Sequence, residues 1–252
     1  MDKKHEIDTL LRQVEADHDV EILYACESGS RAWGFASPNS DYDIRFLYRA
    51  PVEHYLSVFE QKDTIELPIC DDLDPGGWDI KKALGLLAKS NGALIEWLHS
   101  PIVYHKCDSV LMRWRRLSEE VFHAQHVRNH YLGLARQVRK AKLECGAPTA
   151  KGYLYVCRAL LAAHAVQCER RAPAVEFTRL VDDYAGRLRP VIRDLVAWKE
   201  EADEVAECER IPALEHWIAA ELYEQRTEIE GPCAKMVRAL IDAEFRRLIE
   251  RE

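Results

Sequence analysis

No run of about 18 apolar residues occurs in the chain, so no membrane-spanning helix is expected. The N-terminal stretch MDKKHEIDTLLRQ also lacks the continuous apolar core of an export signal. Eight cysteines, at 26, 70, 107, 145, 157, 168, 208 and 233, form no Cys-x-x-Cys pair and no Cys/His cluster of zinc-ligand spacing. Several fall in segments of helical periodicity, where a free thiol behaves as a small hydrophobe. That is the pattern of reduced thiols in a cytoplasmic protein. Internal repeats and low-complexity stretches are absent, and beyond about residue 108 nothing reads as a strand. A net charge of -8 argues against a general polyanion binder.

What is present is the composition of a soluble globular protein, with 48% hydrophobic and 31% charged residues. A chain of 252 residues suits one large domain or two modest ones. Charge is unevenly spread. Residues 106–142 carry nine Lys or Arg against three acids, whereas residues 199–252 carry eight against fifteen. Such asymmetry marks either a polyanion-facing side or a solvated helix face.

Residues 3–18 read as a helix, with Ile7, Leu10, Leu11 and Val14 at helical spacing. Residues 20–28 read as a buried strand, RAWGFA as a short helix or turn, SPNSD as a loop and YDIRFLYRA as a second strand. Pro51 opens a short helix over VEHYLSV. DTIELPIC reads as a third strand and DLDPGGW as an irregular fourth. Asp79 sits at a helix N-cap ahead of IKKALGLLAKSNG, and Gly92 is the expected stop. Five amphipathic segments follow: 108–144, 149–170, 174–206 with a break at Pro190, 211–229 and 232–251. CGAPTAKG is the clearest hinge among them. The expected fold class is therefore α+β, with an α/β domain over 1–105 and an all-helical domain over 106–252.

The stretch ESGSRAWGFASPNSDYDIRFLYRA carries the chemistry. Gly29-Ser30 lies at a strand-to-helix corner, where backbone N–H groups and a hydroxyl suit phosphate oxygens. Asp41 and Asp43 follow at the mouth of the second strand. In a strand such i, i+2 residues share a face roughly 7 Å apart. Two carboxylates there repel each other unless a cation lies between them, and hard oxygens suit Mg²⁺. Two solvated acids at an exposed strand start would look the same when taken alone.

The conjunction is more specific. Gly29-Ser30, ten residues, then Asp41-Tyr42-Asp43 resembles the GS-x10-DxD signature of the DNA polymerase β-like nucleotidyltransferase superfamily. With GWDIKKALGLLAKSN and LIEWLHSPIVY, the run resembles a narrower group, the RNA-ligase-associated RlaP family, which includes YcgL-like proteins. The resemblance is strong over the first 105 residues and weaker in NHYLGLARQVRKA and KGYLYVCRALLAAH.

The resemblance implies a small mixed sheet with helices, followed by a helical domain. It implies two Mg²⁺ ions, with Mn²⁺ as a substitute, on Asp41, Asp43 and a third carboxylate, and transfer of a nucleoside monophosphate from an NTP. The candidates for the third acid are Glu66, Asp72, Asp74 and Asp79. Asp74 is the expected one, on the strand where superfamily members carry theirs, while N-capping already explains Asp79. Gly29 and Ser30 would bind the nucleotide. Arg45, on the face of Asp43, would reach a phosphate or the acceptor, or pair with a site carboxylate. Arg31 reads as solvent-exposed, and Trp33, Phe35 and Trp78 as packing residues. Lys151, Tyr155 and Arg158 share one helical face, and the superfamily's use of a helical-domain cation and aromatic assigns them to the nucleotide. His130, Tyr131, Arg136, Arg139 and Lys140 form a basic helix suited to an RNA acceptor. Transfer onto a protein, and a catalytically silent nucleotide- or RNA-binding module, are the competing functions.

Overall fold

A computed structural model describes residues 3–201, 207–223 and 228–250. The chain opens with helix α1 (Lys3–His18), strand β1 (Glu21–Glu27) and the one-turn helix α2 (Gly29–Trp33). Then come β2 (Tyr42–Arg49), α3 (Val52–Leu56), β3 (Thr64–Glu66) and β4 (Leu73–Asp79). Helices α4 (Ile80–Leu87) and α5 (Gly92–Leu98), strand β5 (Val103–Lys106) and helix α6 (Asp108–Glu120) follow. The remaining helices are α7 (Ala124–Lys142), α8 (Ala150–Glu169), α9 (Phe177–Tyr184), α10 (Arg189–Glu201), α11 (Pro212–Tyr223) and α12 (Ala234–Glu250). A 3-10 turn at Gly186–Leu188 precedes α10.

The five strands form one mixed sheet in the order β3-β4-β2-β1-β5, in which β2 and β4 are parallel and the other pairs antiparallel. Each face carries its own core. Ile7, Leu11 and Val14 of α1 lie with Ile22, Ala25, Ile44, Phe46, Tyr48 and Ile65. On the other face Leu23, Tyr24, Cys26 and Leu47 lie with residues of α4, α5, α6 and α12. Strand alternation explains the division: Ile44, Phe46 and Tyr48 face one way, and Asp43, Arg45 and Leu47 the other. Gly77 lets β4 pass over the Phe46 ring, since a Cβ there would stand 2.1 Å from a ring carbon.

Residues fall into two compact units. The first comprises Met1–Ala32, Asp41–Val121 and Pro232–Glu252, and the second Trp33–Ser40 and Phe122–Gly231. The sequence division at 105/106 therefore differs from the grouping by contacts. Helix α6 joins the sheet unit because Trp114 is buried there with its Nε1 donating to Glu244 at 3.0 Å. Helix α12 returns to the same unit through Val237, Ile241 and Leu248. In the second unit α8 is buried on most of its circumference and packs against α7, α9, α10 and α11. Lys199, 1% exposed, donates to the Phe35 carbonyl at 2.9 Å and lies beside the Ser37 hydroxyl at 3.4 Å. A buried ammonium is tolerated when its donors are used, and this one ties Trp33–Ser40 into the helical unit.

Several expectations are corrected. Gly92 does not stop a helix. Chain reversal after α4 falls to Ser90, at φ 50°, and Asn91 caps α5, its Oδ1 accepting from Leu94 N–H at 3.0 Å. Segment 108–144 is two helices broken near Val121, where neither Gly nor Pro signals the break. Segment 174–206 is likewise interrupted before Pro190, which sits in the first turn of α10. Residues 202–206 of that segment and 224–227 of the next lie outside the described residues. Strand β5 falls outside the strands expected from the sequence. Asp79 caps α4 as expected, its Oδ1 accepting from Lys81 N–H at 2.7 Å. None of the eight cysteines is in a disulfide.

Candidate active site

The parallel pairing of β2 with β4 sets Asp43 opposite Asp74 and Arg45 opposite Gly76. Neighbouring strands lie about 4.8 Å apart, so side chains on one face of such a pair meet. Arg45 Nη2 donates to Asp43 Oδ1 at 3.0 Å and to Asp74 Oδ2 at 2.6 Å. Its Nη1 donates to the backbone carbonyls of Asp74, at 2.6 Å, and of Ile44, at 3.3 Å. Burial pushes the Asp43 carboxyl above the usual carboxylate range; Arg45 opposes the shift, and the charges of Asp74 and Asp41 reinforce it. Of the alternatives weighed from sequence, Arg45 therefore pairs with site carboxylates.

Gly29 has φ 60°, a backbone conformation that side-chain-bearing residues rarely adopt. A Cβ at Gly29 would lie 1.9 Å from Asp43 Oδ2. The corner is glycine because the carboxylate occupies that space. Ser30 is buried at 5% exposure. Ser28 N–H donates to the Asp43 carbonyl at 2.8 Å, joining the corner to β2.

Sequence reasoning missed Glu27, the last residue of β1. It is fully buried, and its Oε1 accepts from Asp43 N–H at 2.7 Å. Tyr104 of β5 donates its hydroxyl to Glu27 Oε2. Burial pushes the Glu27 carboxyl up to about 7, against the hydrogen bonds from Tyr104 and Asp43. The available signal was an acid ending the apolar run VEILYACE next to the glycine corner. Arg31 is not simply solvent-exposed: its Nε donates to the Asp41 carbonyl at 3.2 Å and its guanidinium carbon lies 3.7 Å from the Tyr42 ring centroid.

The other acids are placed differently. Asp41 is exposed, one residue ahead of β2. Asp72, at φ 67°, ion-pairs with Lys3 at 2.5 Å. Glu66 is exposed on edge strand β3. Asp79 lies opposite Tyr48, at the other end of β4 from Asp74, and Tyr55 donates to its Oδ2 at 2.8 Å. Burial raises the Asp79 carboxyl against the bonds from Tyr55 and Lys81.

In the helical unit, Lys151 and Tyr155 are half-buried, with Lys151 Nζ 5.8 Å from the Tyr155 ring centroid. Tyr155 meets Trp33 and Phe35 edge-on, at centroid distances of 5.0 and 6.0 Å. Arg158 is only 1% exposed, and its guanidinium carbon lies 4.0 Å from the Trp33 ring centroid. Trp33 and Phe35 thus pack within this unit, and Trp78 stacks on Trp97 in the sheet unit at 3.9 Å. Along α7, Arg136 and Lys140 are exposed and Arg139 pairs with Glu144 at 3.1 Å, while Tyr131 is fully buried and His130 half-buried. Tyr131 is a core residue of that helix.

Among the described residues no three His, Cys, Asp or Glu side chains are gathered as a metal cage. The donor set nevertheless fits a divalent cation. Asp43 Oδ1 and Asp74 Oδ2 converge on one cationic nitrogen at 3.0 and 2.6 Å, and hard carboxylate oxygens are the ligands Mg²⁺ prefers. Among the described residues no helix is long and apolar enough to cross a membrane.

The fold is α+β, and a glycine corner after β1 with acids at the head of β2 in a five-stranded mixed sheet is consistent with a polymerase β-like domain. The sequence profile of RlaP, the RNA repair pathway DNA polymerase beta family, matches residues 3–247, and the chain belongs to that family. It is 37% identical over 214 residues to the uncharacterized protein YcgL of Bacillus subtilis (strain 168), covering 84% of this chain and 82% of that relative. Membership in a polymerase β-like family supports a nucleotidyltransferase kind of function.

Proposed function

We propose that the chain transfers a nucleoside monophosphate from an NTP to a hydroxyl acceptor, with an RNA end as the acceptor. The observation that carries this reading is the convergence of Asp43 and Asp74, across β2 and β4, beside the Gly29 corner. Asp41, Asp43 and Asp74 would hold Mg²⁺, or Mn²⁺ in its place. When bound, such ions lower the pKa of the attacking hydroxyl and stabilise the leaving pyrophosphate. In the reaction the acceptor oxygen bonds to the α-phosphorus, the bond from that phosphorus to the oxygen bridging the β-phosphate breaks, pyrophosphate leaves and the hydroxyl proton passes to solvent water.

The chain's own residues supply position and charge. Glu27 and Tyr104 hold the Asp43 backbone, and so the carboxylate, in place. Gly29 and Ser30 face the phosphates, and Arg45 adds a cation beside them. Lys151 and Tyr155 are the proposed nucleotide contacts in the helical unit. Arg158 is assigned a structural role there, because its guanidinium is already stacked on Trp33. Support for RNA comes from the name of the family and from the exposed Arg136 and Lys140 of α7.

The test is incubation of the protein with each α-³²P-labelled NTP, Mg²⁺, and total cellular RNA and protein. Label on RNA supports the proposal. Label on protein overturns the acceptor and keeps the reaction class. No label from any NTP with either acceptor overturns the reading.

A further inference from the structure

The point where Asp43 and Asp74 converge is taken by a side chain of the same protein. Arg45 Nη2 stands 3.0 Å from Asp43 Oδ1 and 2.6 Å from Asp74 Oδ2. Mg²⁺ binds oxygen at about 2.0–2.1 Å and demands near-ideal geometry. Nη2 and a divalent ion bridging the same two oxygens would overlap, so they exclude one another. We propose that Arg45 is a positioning residue that holds these two carboxylates together in the nucleotide-free protein and competes with the divalent cation for them. The inference rests on the metal-dependent reading above.

The remaining contacts of Arg45 give it an anchor that the exchange need not break. Nη1 donates to the Asp74 carbonyl at 2.6 Å and to the Ile44 carbonyl at 3.3 Å. Neither bond involves a carboxylate. A turn of the guanidinium about that anchor withdraws Nη2 and leaves the charge beside the site, where an incoming triphosphate meets it. Gly76 lies opposite Arg45 in register, and a Cβ there would be in ordinary contact with Arg45 Nη1 at 3.5 Å. The device keeps two part-buried carboxylates compensated when no metal is present. It also makes metal binding weak until a nucleotide arrives to accept the displaced guanidinium.

Mn²⁺ affinity of the nucleotide-free protein, read by electron paramagnetic resonance titration, tests this. Losing charge-assisted hydrogen bonds of this kind makes Arg45→Gln bind Mn²⁺ about tenfold tighter than the unaltered protein. Arg45→Lys keeps the charge but not the planar fork that spans both carboxylates, so its affinity falls between the two. An Arg45→Gln affinity equal to or below that of the unaltered protein overturns the inference. An Arg45→Lys affinity equal to that of the unaltered protein also overturns it, because then only through-space charge matters. If Arg45→Gln does not fold, the Arg45→Lys comparison decides alone. Mn²⁺ binding by the unaltered protein only with a non-hydrolysable NTP, together with no gain in either variant, removes this inference and leaves the transferase reading standing. No Mn²⁺ binding by any of the proteins, with or without NTP, overturns both.

Discussion

Gly29 and Asp43 share one small volume, and the candidate site depends on that. A Cβ at Gly29 would lie 1.9 Å from Asp43 Oδ2, on a backbone at φ 60°. Gly29→Ala should therefore lose about 1–2 kcal/mol in urea denaturation from the left-handed backbone alone. It should also weaken Mn²⁺ binding in the presence of NTP, because the carboxylate must move; unchanged metal affinity would refute this. Asp43→Asn and Asp74→Asn remove charge rather than bulk. Each should lower nucleotide transfer by more than about a hundredfold, the order of effect seen when one group facing developing charge is lost. Because burial already disfavours the charged form of Asp43, Asp43→Asn should melt no lower than the unaltered protein. Full activity in either variant would remove that residue from the site.

At the scale of elements, β4 runs directly into α4, and one aspartate serves at each end. Asp74 meets Asp43, whereas Asp79 caps the helix and accepts from Tyr55. Burial raises the Asp79 carboxyl above its ordinary 3.8. Between that value and the raised folded value, the folded chain holds more protons than the unfolded one, so stability falls as pH rises through the window. Asn also caps helices well and does not titrate. The stability of Asp79→Asn relative to the unaltered protein should therefore grow as pH rises above the ordinary 3.8 of the carboxyl, read as the difference in Tm by calorimetry. A difference constant with pH would show that Asp79 titrates normally. Transfer activity should survive in this variant, unlike in Asp74→Asn.

At the scale of the whole molecule, the sheet unit is not continuous in sequence. Its last helix, α12, comes from beyond residue 232 and buries Val237, Ile241 and Leu248, while the Leu248 carbonyl accepts from Arg49 at 2.7 Å. Burial of each such side chain contributes about 1.5–3 kcal/mol. A chain ended after Gly231 should therefore lose roughly 5 kcal/mol or more. At this size that lowers Tm by about 10–20 °C. An unchanged melting curve would mean that α12 is dispensable to the sheet core. The segment Trp33–Ser40 shows the opposite relation. It lies between the glycine corner and Asp41 in sequence yet belongs to the helical unit, held by Lys199 and by Phe35 packed on Phe177 at 5.2 Å.

Local chemistry made much of this legible in the amino-acid sequence alone. Helix α1, strands β1 and β2 and the capping role of Asp79 depend on residues within a few positions of one another, and the spacing of Gly29-Ser30 from Asp41 and Asp43 is read directly along the chain. Periodicity, capping and backbone freedom act over that range, and they are also what the family resemblance rests on. Other features depend on residues far apart in the chain. Strand β5 is four residues long and exists because the free edge of β1 recruits it. The helix after Ser90 begins at Gly92 because Asn91 caps it, although a glycine in that place reads locally as a stop. The pairing of Asp43 with Asp74, the turn of Arg45 onto both and the burial of Glu27 under Tyr104 depend on strand register and sheet order. Many sequences share a hydrophobic pattern while their strands pair differently, so only the folded sheet decided which carboxylates meet and which cation stands between them.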